Sequence, residues 1–382
     1  MIEEVQIAFN SSRASTLGIE LELNIVDRET RALVNASHPI IETVGRDYPN
    51  GEHPKIKHEL FQCTVEIITG ICDTVSEARA DLESSISHLV EEIEDRDLAL
   101  ICSGTHPFTH WRELDVTPDD RYVELVDSIG WPARRLAICG VHFHVGIPSA
   151  EHAVSILHPL TFHLPLFLAL SVSSPFWHGM DTGMASARTK IFEGLPTAGL
   201  PPRLDDWSDF ERFMATLLRA RVISTIRDVW WDVRPHPNFG TVELRMCDGL
   251  TNLTDVAALG ALAQCLVTDL TDRVAAGESV PSVREWVLRE NKWLAARHGL
   301  DTSIIIDDEG NRTPIRDLVA GLVNELAPVA ERLGCGTELN NVLHIVEHGT
   351  SCDRQRAVIA SGGTYLDVVD QLASELAKGT AG

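Results

Sequence analysis

The sequence predicts an α+β protein built on an antiparallel sheet. Two patterns carry that expectation. Runs in which apolar and polar residues alternate one for one concentrate before residue 250, and apolar residues at helical spacing dominate after it. Such segregation indicates an α+β arrangement rather than a doubly wound parallel sheet. Sheet-rich 1–250 and mostly helical 251–382 are expected to form a single catalytic domain, 1–382.

The first strand is TLGIELELNIVD (16–27). Leu17, Ile19, Leu21, Leu23 and Ile25 alternate with Gly18, Glu20, Glu22 and Asn24, so Glu20 and Glu22 share one face. Neighbouring carboxylates repel unless a cation or base neutralises them, which points to half of a metal site. A water-facing edge strand would tolerate the same pair. In HELFQCTVEIITG (58–70), Glu59 and Glu66 stand seven apart. That spacing gives opposite faces of a regular strand but one face of a helix. A change of conformation or a bulge would also serve, and periodicity leaves the choice open.

Residues 74–97 form the next expected helix, with Val75, Ala78, Leu82, Ile86, Leu89, Val90 and Ile93 inward and Asp81 among the acids facing water. Asp73 or Thr74 would cap it. A buried strand, LALICS (98–103), leads into the turn GTHPF. GVHFHVG (140–146) is again strand-like and aims His142 and His144 one way. The helix over 149–171 should be kinked or broken by Pro159 and Pro165. Polar residues 181–190 are expected as a mobile cover, followed by a proline- and glycine-rich loop, 195–206. Trp230 and Trp231 are expected in the core or under a loop. TVELRM (241–246) places Glu243 and Arg245 on one strand face. Helices are then expected over 255–274, 283–298 and 317–333, with a frayed end near 362–382.

Composition excludes several classes. A formal net charge of −24 argues against nucleic acid or an anionic membrane as partner. The longest apolar run, 164–172, is interrupted by Pro165 and too short to span a bilayer. The first ten residues lack the pattern of a signal peptide, and eight scattered cysteines without a CxxC pair fit free thiols in a reducing cytoplasm. No GxxxxGK[ST], GxSxG or convincing post-strand GxGxxG occurs.

The carboxylate-rich company of the two histidines favours magnesium or manganese over zinc. Glu243 beside Arg245 suggests a metal ligand next to a phosphate or carboxylate clamp, or else a surface ion pair of little worth. Arg188, Arg234, Arg297 and Arg354 are candidate anion binders.

These residues sit in segments that together resemble the carboxylate–amine ligase branch of the type 2 glutamate–cysteine ligase family. The segments are TLGIELEL (16–23), HELFQCTVEIITG (58–70), GTHPF (104–108), GVHFHVGIP (140–148), SSPFWHGMDTGMASARTKIFEGLPTAGLPP (173–202), WWDVRPHPNFGTVELRMCDG (230–249), ENKWLAARHGLD (290–301) and GTSCDRQR (349–356). The resemblance implies a glutamine-synthetase-like curved antiparallel sheet, helices on its convex side, and cations and ATP on its concave face. It implies Glu20, Glu22, Glu59, Glu66 and Glu243 as magnesium ligands, with His142 or His144 holding metal or phosphate. Arg245 would act on the transferred phosphoryl group, and Arg188, Arg234 and Arg354 would surround nucleotide or substrate. Because Glu59 and Glu66 both match acidic positions, a bulge or bend is expected between them.

The implied reaction is ATP-dependent C–N bond formation through an acyl phosphate, with glutamate and cysteine as first candidate substrates. Whether the chain forms a homo-oligomer is left open. A metal-dependent hydrolase and a non-catalytic Mg-ATP sensor of the same fold are the competing expectations. Under the ligase reading, Glu20→Ala or Glu243→Ala should abolish turnover and leave the fold intact.

Overall fold

The structure is a computed structural model that describes residues 6–278, 280 and 282–379. Residues 1–5 and 380–382, on which parts of the signal-peptide and frayed-end expectations fall, lie outside these. In chain order the elements are β1 (Leu17–Asp27), α1 (Ser37–Gly45), β2 (Ile56–His58), β3 (Thr64–Ile68), α2 (Val75–Ile93), β4 (Leu98–Ile101), α3 (Asp120–Ile129), β5 (Gly140–Gly146) and α4 (Ala150–Ser171). There follow β6 (Phe176–Trp177), β7 (Met180–Asp181), α5 (Ala187–Phe192), α6 (Trp207–Arg219), β8 (Val233–His236), β9 (Thr241–Asp248), α7 (Leu253–Ala275) and α8 (Glu285–His298). The last are β10 (Ser303–Ile305), β11 (Arg312–Pro314), α9 (Ile315–Leu333), α10 (Gly336–His348), α11 (Ser351–Ala360) and α12 (Tyr365–Gly379).

Seven strands make the main sheet, ordered β2-β3-β1-β5-β9-β8, with β4 also on β1, and every pairing is antiparallel. The alternation in β1 decides its two faces. Leu17, Ile19, Leu21, Leu23 and Ile25 are buried, and α2 and α7 pack against that strand. Gly260 of α7 brings a bare Cα close to Ile19, Leu17 and Phe143. Burial of this face is the main stabilising term, at about 25 cal/mol per Å² of apolar surface. The opposite face of the sheet is left to the charged residues.

Several local expectations are corrected. The 58–70 segment is neither helix nor a single bulged strand: β2 and β3 form an antiparallel pair with Lys57 opposite Glu66, and Glu59 sits in the reversal between them. The bend expected from the resemblance is this reversal. Thr74, not Asp73, caps α2, in a capping box with Glu77, while Asp73 pairs with Arg13. Val90 is exposed, and Asp81 is half-buried because Lys55 Nζ reaches it at 2.5 Å.

Helix α4 runs unbroken through Pro159 and Pro165. The prolines cost the bonds to the Ser155 and Thr161 carbonyls, but packing against α7, α8, β8 and β9 holds the helix together. Both α4 and α7 are long and apolar enough to cross a membrane by length and composition, contrary to the expectation drawn from the 164–172 run. Most of their apolar surface is instead buried against the sheet and neighbouring helices. The end of the described chain is not frayed: Val368, Val369, Leu372 and Leu376 anchor α12. A small β10–β11 ribbon also lies within the mostly helical part.

Candidate active site

Register turns four separate motifs into one cluster. Directly opposite residues in a sheet share a face. On that basis Glu20 meets His142, Glu22 meets Glu66, His144 meets Glu243, and Glu243 meets Arg234. Gly18 stands opposite His144, and a Cβ there would lie 3.6 Å from that of the histidine. A shift of register in the β5–β9 pair separates Val141/Cys247 from Phe143/Leu244. Asn24, on the same face of β1, is buried beyond the cluster and accepts a hydrogen bond from Thr64.

Three overlapping groups place one ligand atom per residue within 4.8 Å of one another: Glu20, His144 and Glu243; Glu20, Glu66 and His142; and Glu22, Glu59 and Glu66. Glu20 and Glu66 each belong to two groups, so the set resembles a row of cation sites sharing bridging carboxylates. His142 Nδ1 lies 3.0 Å from Glu20 Oε2, and His144 Nε2 lies 3.2 Å from Glu20 Oε1 and 3.7 Å from Glu243 Oε1. That His144 nitrogen is buried without a hydrogen bond, while Nδ1 is 3.1 Å from Thr241 Oγ1. One ring nitrogen held by a hydroxyl and the other aimed among carboxylates is the geometry of a metal-binding imidazole.

Charge is distributed unevenly. Glu243 is about 1% exposed and is clamped by Arg234 Nε at 2.7 Å and by Arg245 Nη1. Burial alone would raise its pKa, but the two guanidiniums and His144 together hold it far below the usual carboxylate range. Burial likewise opposes ionisation of Glu20, and His144 and His142 overcome it. At the other end the arginines only partly offset the acids. Burial and the Glu59 charge push Glu22 up to about 7, against partial relief from Arg188 and the Gly140 N–H. Glu59 is raised by burial, and Glu66 is raised well above its ordinary value by burial and by Glu20, Glu59 and Glu22. Hard divalent cations fit these oxygens and would remove the repulsion.

A pH dependence follows. Between the unfolded value near 4.5 and about 7, Glu22 keeps a proton in the metal-free folded state that the unfolded chain has lost, so its contribution to stability falls as pH rises. Magnesium competes with that proton. The rise in thermal midpoint on adding magnesium should therefore be larger at pH 8 than at pH 6. Equal rises, measured by differential scanning fluorimetry, would count against these carboxylates as the ligands.

Glu20, Glu22, Glu59, Glu66, His142, Arg188, Arg234 and Arg245 line one cavity of about 350 Å³. Arg188 is buried on α5, its N–H accepted by Ser174 Oγ, and Gly140 is required beneath it: a Cβ there would come within 2.2 Å of the guanidinium. Within the expected cover, residues 185–189 are buried and form a packed wall, with Ser186 tied to the buried Asp248 at 2.7 Å, while Asp181 is exposed and paired to Arg356. Arg354 does not line the cavity. Its guanidinium is engaged by Glu375 at 2.9 Å and by Thr251, which braces α11 to α12 and to the segment just before α7. Trp231 is core, as expected, but Trp230 lines the cleft.

Sequence reasoning missed Arg121, Tyr122, Arg227, His236 and Phe239 as lining residues. Arg121 and Tyr122 come from α3, His236 from the end of the short strand β8, and Arg227 and Phe239 from irregular segments, where no periodicity signals a face. His236 and Phe239 stack at 4.1 Å across the β8–β9 turn, which closes with Gly240 at φ +65°, where a Cβ would strike the Asn10 carbonyl.

Taken together with its relatives, this helix-backed antiparallel sheet with its cation-ready face defines a class of protein, an ATP-dependent ligase that joins a carboxylate to an amine through a C–N bond. The family description "Glutamate-cysteine ligase family 2" matches residues 16–370, and the chain belongs to that family. It is 50% identical over 376 residues to "Putative glutamate--cysteine ligase 2-1" of Frankia casuarinae, covering 98% of each chain. It is 46% identical over 373 residues to "Putative glutamate--cysteine ligase 2" of Thermobifida fusca, covering 98% of this chain and 94% of that one. Among solved structures, the glutamate–cysteine ligase of Francisella tularensis in complex with AMP superposes with a TM-score of 0.71 at 12% identity, over 96% of this chain and 90% of that one. The ligase PafA in its complex with Pup gives a TM-score of 0.52 at 11% identity, over 94% and 69%.

Proposed function

We propose that the chain activates the γ-carboxylate of glutamate with ATP and transfers the acyl group to the amine of cysteine. One observation carries the reading: Glu20, Glu22, Glu59, Glu66 and His142, drawn from three overlapping ligand groups that share Glu20 and Glu66, line a single cleft with Arg188, Arg234 and Arg245. A carboxylate oxygen attacks the γ-phosphorus, the bond to ADP breaks, and an acyl phosphate forms. The amine nitrogen then attacks the carbonyl carbon, the C–O bond to phosphate breaks, and the nitrogen gives up a proton.

Divalent cations, when held by Glu20, Glu22, Glu59, Glu66, Glu243 and His144, neutralise phosphate charge. Arg245, next to Glu243 and within the cleft, faces the transferred group, and its buried Nε has no hydrogen-bond partner of its own. Arg188 Nε is likewise buried and unpartnered, a second donor for an anion. Arg234 clamps Glu243 and donates to the Val229 carbonyl at 2.7 Å, so its role is to position that ligand. An adjoining cavity reaches Glu20 and His144 and is bordered by Gly18, Ile68, Ile71 and Phe239. That lining suits a purine base, with its phosphates directed to the carboxylates. The eight cysteines are free and buried, in keeping with a reducing cytoplasm.

ADP release with Mg-ATP, with and without glutamate plus cysteine, tests the reading when followed by mass spectrometry. Glutamate-dependent ADP with a γ-glutamylcysteine mass is expected. No nucleotide turnover with any carboxylate and amine would overturn it. Arg245→Lys should lower kcat about 10²–10³-fold, since a point charge cannot reproduce a forked guanidinium. Near wild-type steady-state kinetics would remove Arg245 from the phosphoryl step.

A further inference from the structure

A second cavity, of about 500 Å³, opens off the catalytic cleft and shares Arg121, Leu125, Arg227 and Trp230 with it. Arg221 lies on its far side. None of these three guanidiniums makes an ion pair with a carboxylate among the described residues, although Arg121 is close enough to be felt by Glu59. That is notable in a chain with 56 acidic and 32 basic residues, where free carboxylates abound. Two acids reach the cavity. These are Glu124 and Asp228, the latter accepting the Ser224 and Thr225 N–H groups at 2.8 and 2.9 Å, so three guanidiniums face two carboxylates. None of the grouped metal-ligand residues lines it. Its electrostatic character is therefore that of an anion receptor without cations.

Resting on the ligase reading above, the three connected spaces divide by chemistry. The central cleft is taken up by cations, phosphates and the carboxyl group under activation. The apolar cavity beside His144 suits the base. The arginine-lined cavity is then the remaining space from which a nucleophile can reach the activated carbon. We propose that the amine substrate carries an anionic group, carboxylate or phosphate, which Arg221 and Arg227 hold in this cavity with the amine directed past Trp230 into the cleft. Arg221 is the specificity-determining residue, since it touches this space and not the central cleft.

The test uses the full chain with Mg-ATP. Hydroxylamine, a small amine without an anionic group, first reports which carboxylates are activated, through hydroxamate formation. With that carboxylate, kcat and KM are compared for two pairs of amines, cysteine against cysteamine and phosphoethanolamine against ethanolamine. The anionic member of at least one pair should exceed its neutral partner by about tenfold or more in kcat/KM, the effect of one or two charge-assisted hydrogen bonds. The favoured pair identifies carboxylate or phosphate. In Arg221→Ala and Arg221→Gln that ratio should collapse toward one, through KM rather than kcat. Equal kcat/KM within both pairs, or a ratio unchanged in both variants, overturns the inference while hydroxamate formation leaves the ligase reading standing. Absence of hydroxamate with every carboxylate overturns both.

Discussion

Glu66→Gln is expected to abolish turnover and, in the metal-free protein, to raise the thermal midpoint. Glu66 lies opposite Glu22 on the charged face of β3 and contributes to two of the three candidate cation groups. Its surroundings are burial first and then the charges of Glu20, Glu59 and Glu22, with Arg245 the opposing influence. Without cations these surroundings disfavour the ionised carboxylate in the folded state. Glutamine retains the shape and removes the repulsion, so the apo fold gains, by an amount readable as a shift of a few degrees at most in a chain of this size. The same change deletes an oxygen anion from two sites at once. A loss of about 10³-fold or more in kcat and a smaller magnesium-induced stabilisation should accompany it. A variant with near-normal turnover, or one whose midpoint falls in metal-free buffer, would show that Glu66 is not part of a repulsive cation cradle.

Glu243→Ala should behave oppositely in stability, although it too should be inactive. The sequence-based expectation that this variant keeps its fold intact overlooks Arg234 and Arg245, which both bind the Glu243 carboxylate. Removing the acid strands two guanidiniums in a buried setting, and breaking such a pair costs about 3–5 kcal/mol. Denaturant titration should show that loss, and the double variant Glu243→Ala/Arg234→Met should lose less than the sum of its single changes. A stable Glu243→Ala chain would mean that the clamp contributes little and that the carboxylate is held for the cation alone. The two glutamates would be indistinguishable as acids in a motif, and their neighbours give them opposite roles in stability.

Much of the site was legible because a strand has a period of two. In TLGIELEL, GVHFHVG and TVELRM the alternation commits Glu20 with Glu22, His142 with His144, and Glu243 with Arg245 to common faces before any fold is known. The buried companions Leu21, Phe143 and Leu244 identify the other face as core. Glu59 was not legible in this way, because it lies in the reversal between β2 and β3 and no periodicity governs a reversal. Arg354 misled for a related reason: an arginine in a matched segment has the right chemistry, but Glu375, 21 residues further on, engages it first. Arg121, Arg221 and Arg227 carried no pattern at all.

By itself, then, the sequence determined which residues face together along each strand, the antiparallel α+β class, and the acidic and basic chemistry of the charged face. These are local consequences of side-chain period and composition. Tertiary structure decided which strands are neighbours, and therefore that Glu20 meets His142 while Glu22 meets Glu66. It also decided which acids are neutralised by arginine and which are left to a cation. Those outcomes depend on register and on burial among partners from distant parts of the chain, and no local spacing encodes the distance between two strands.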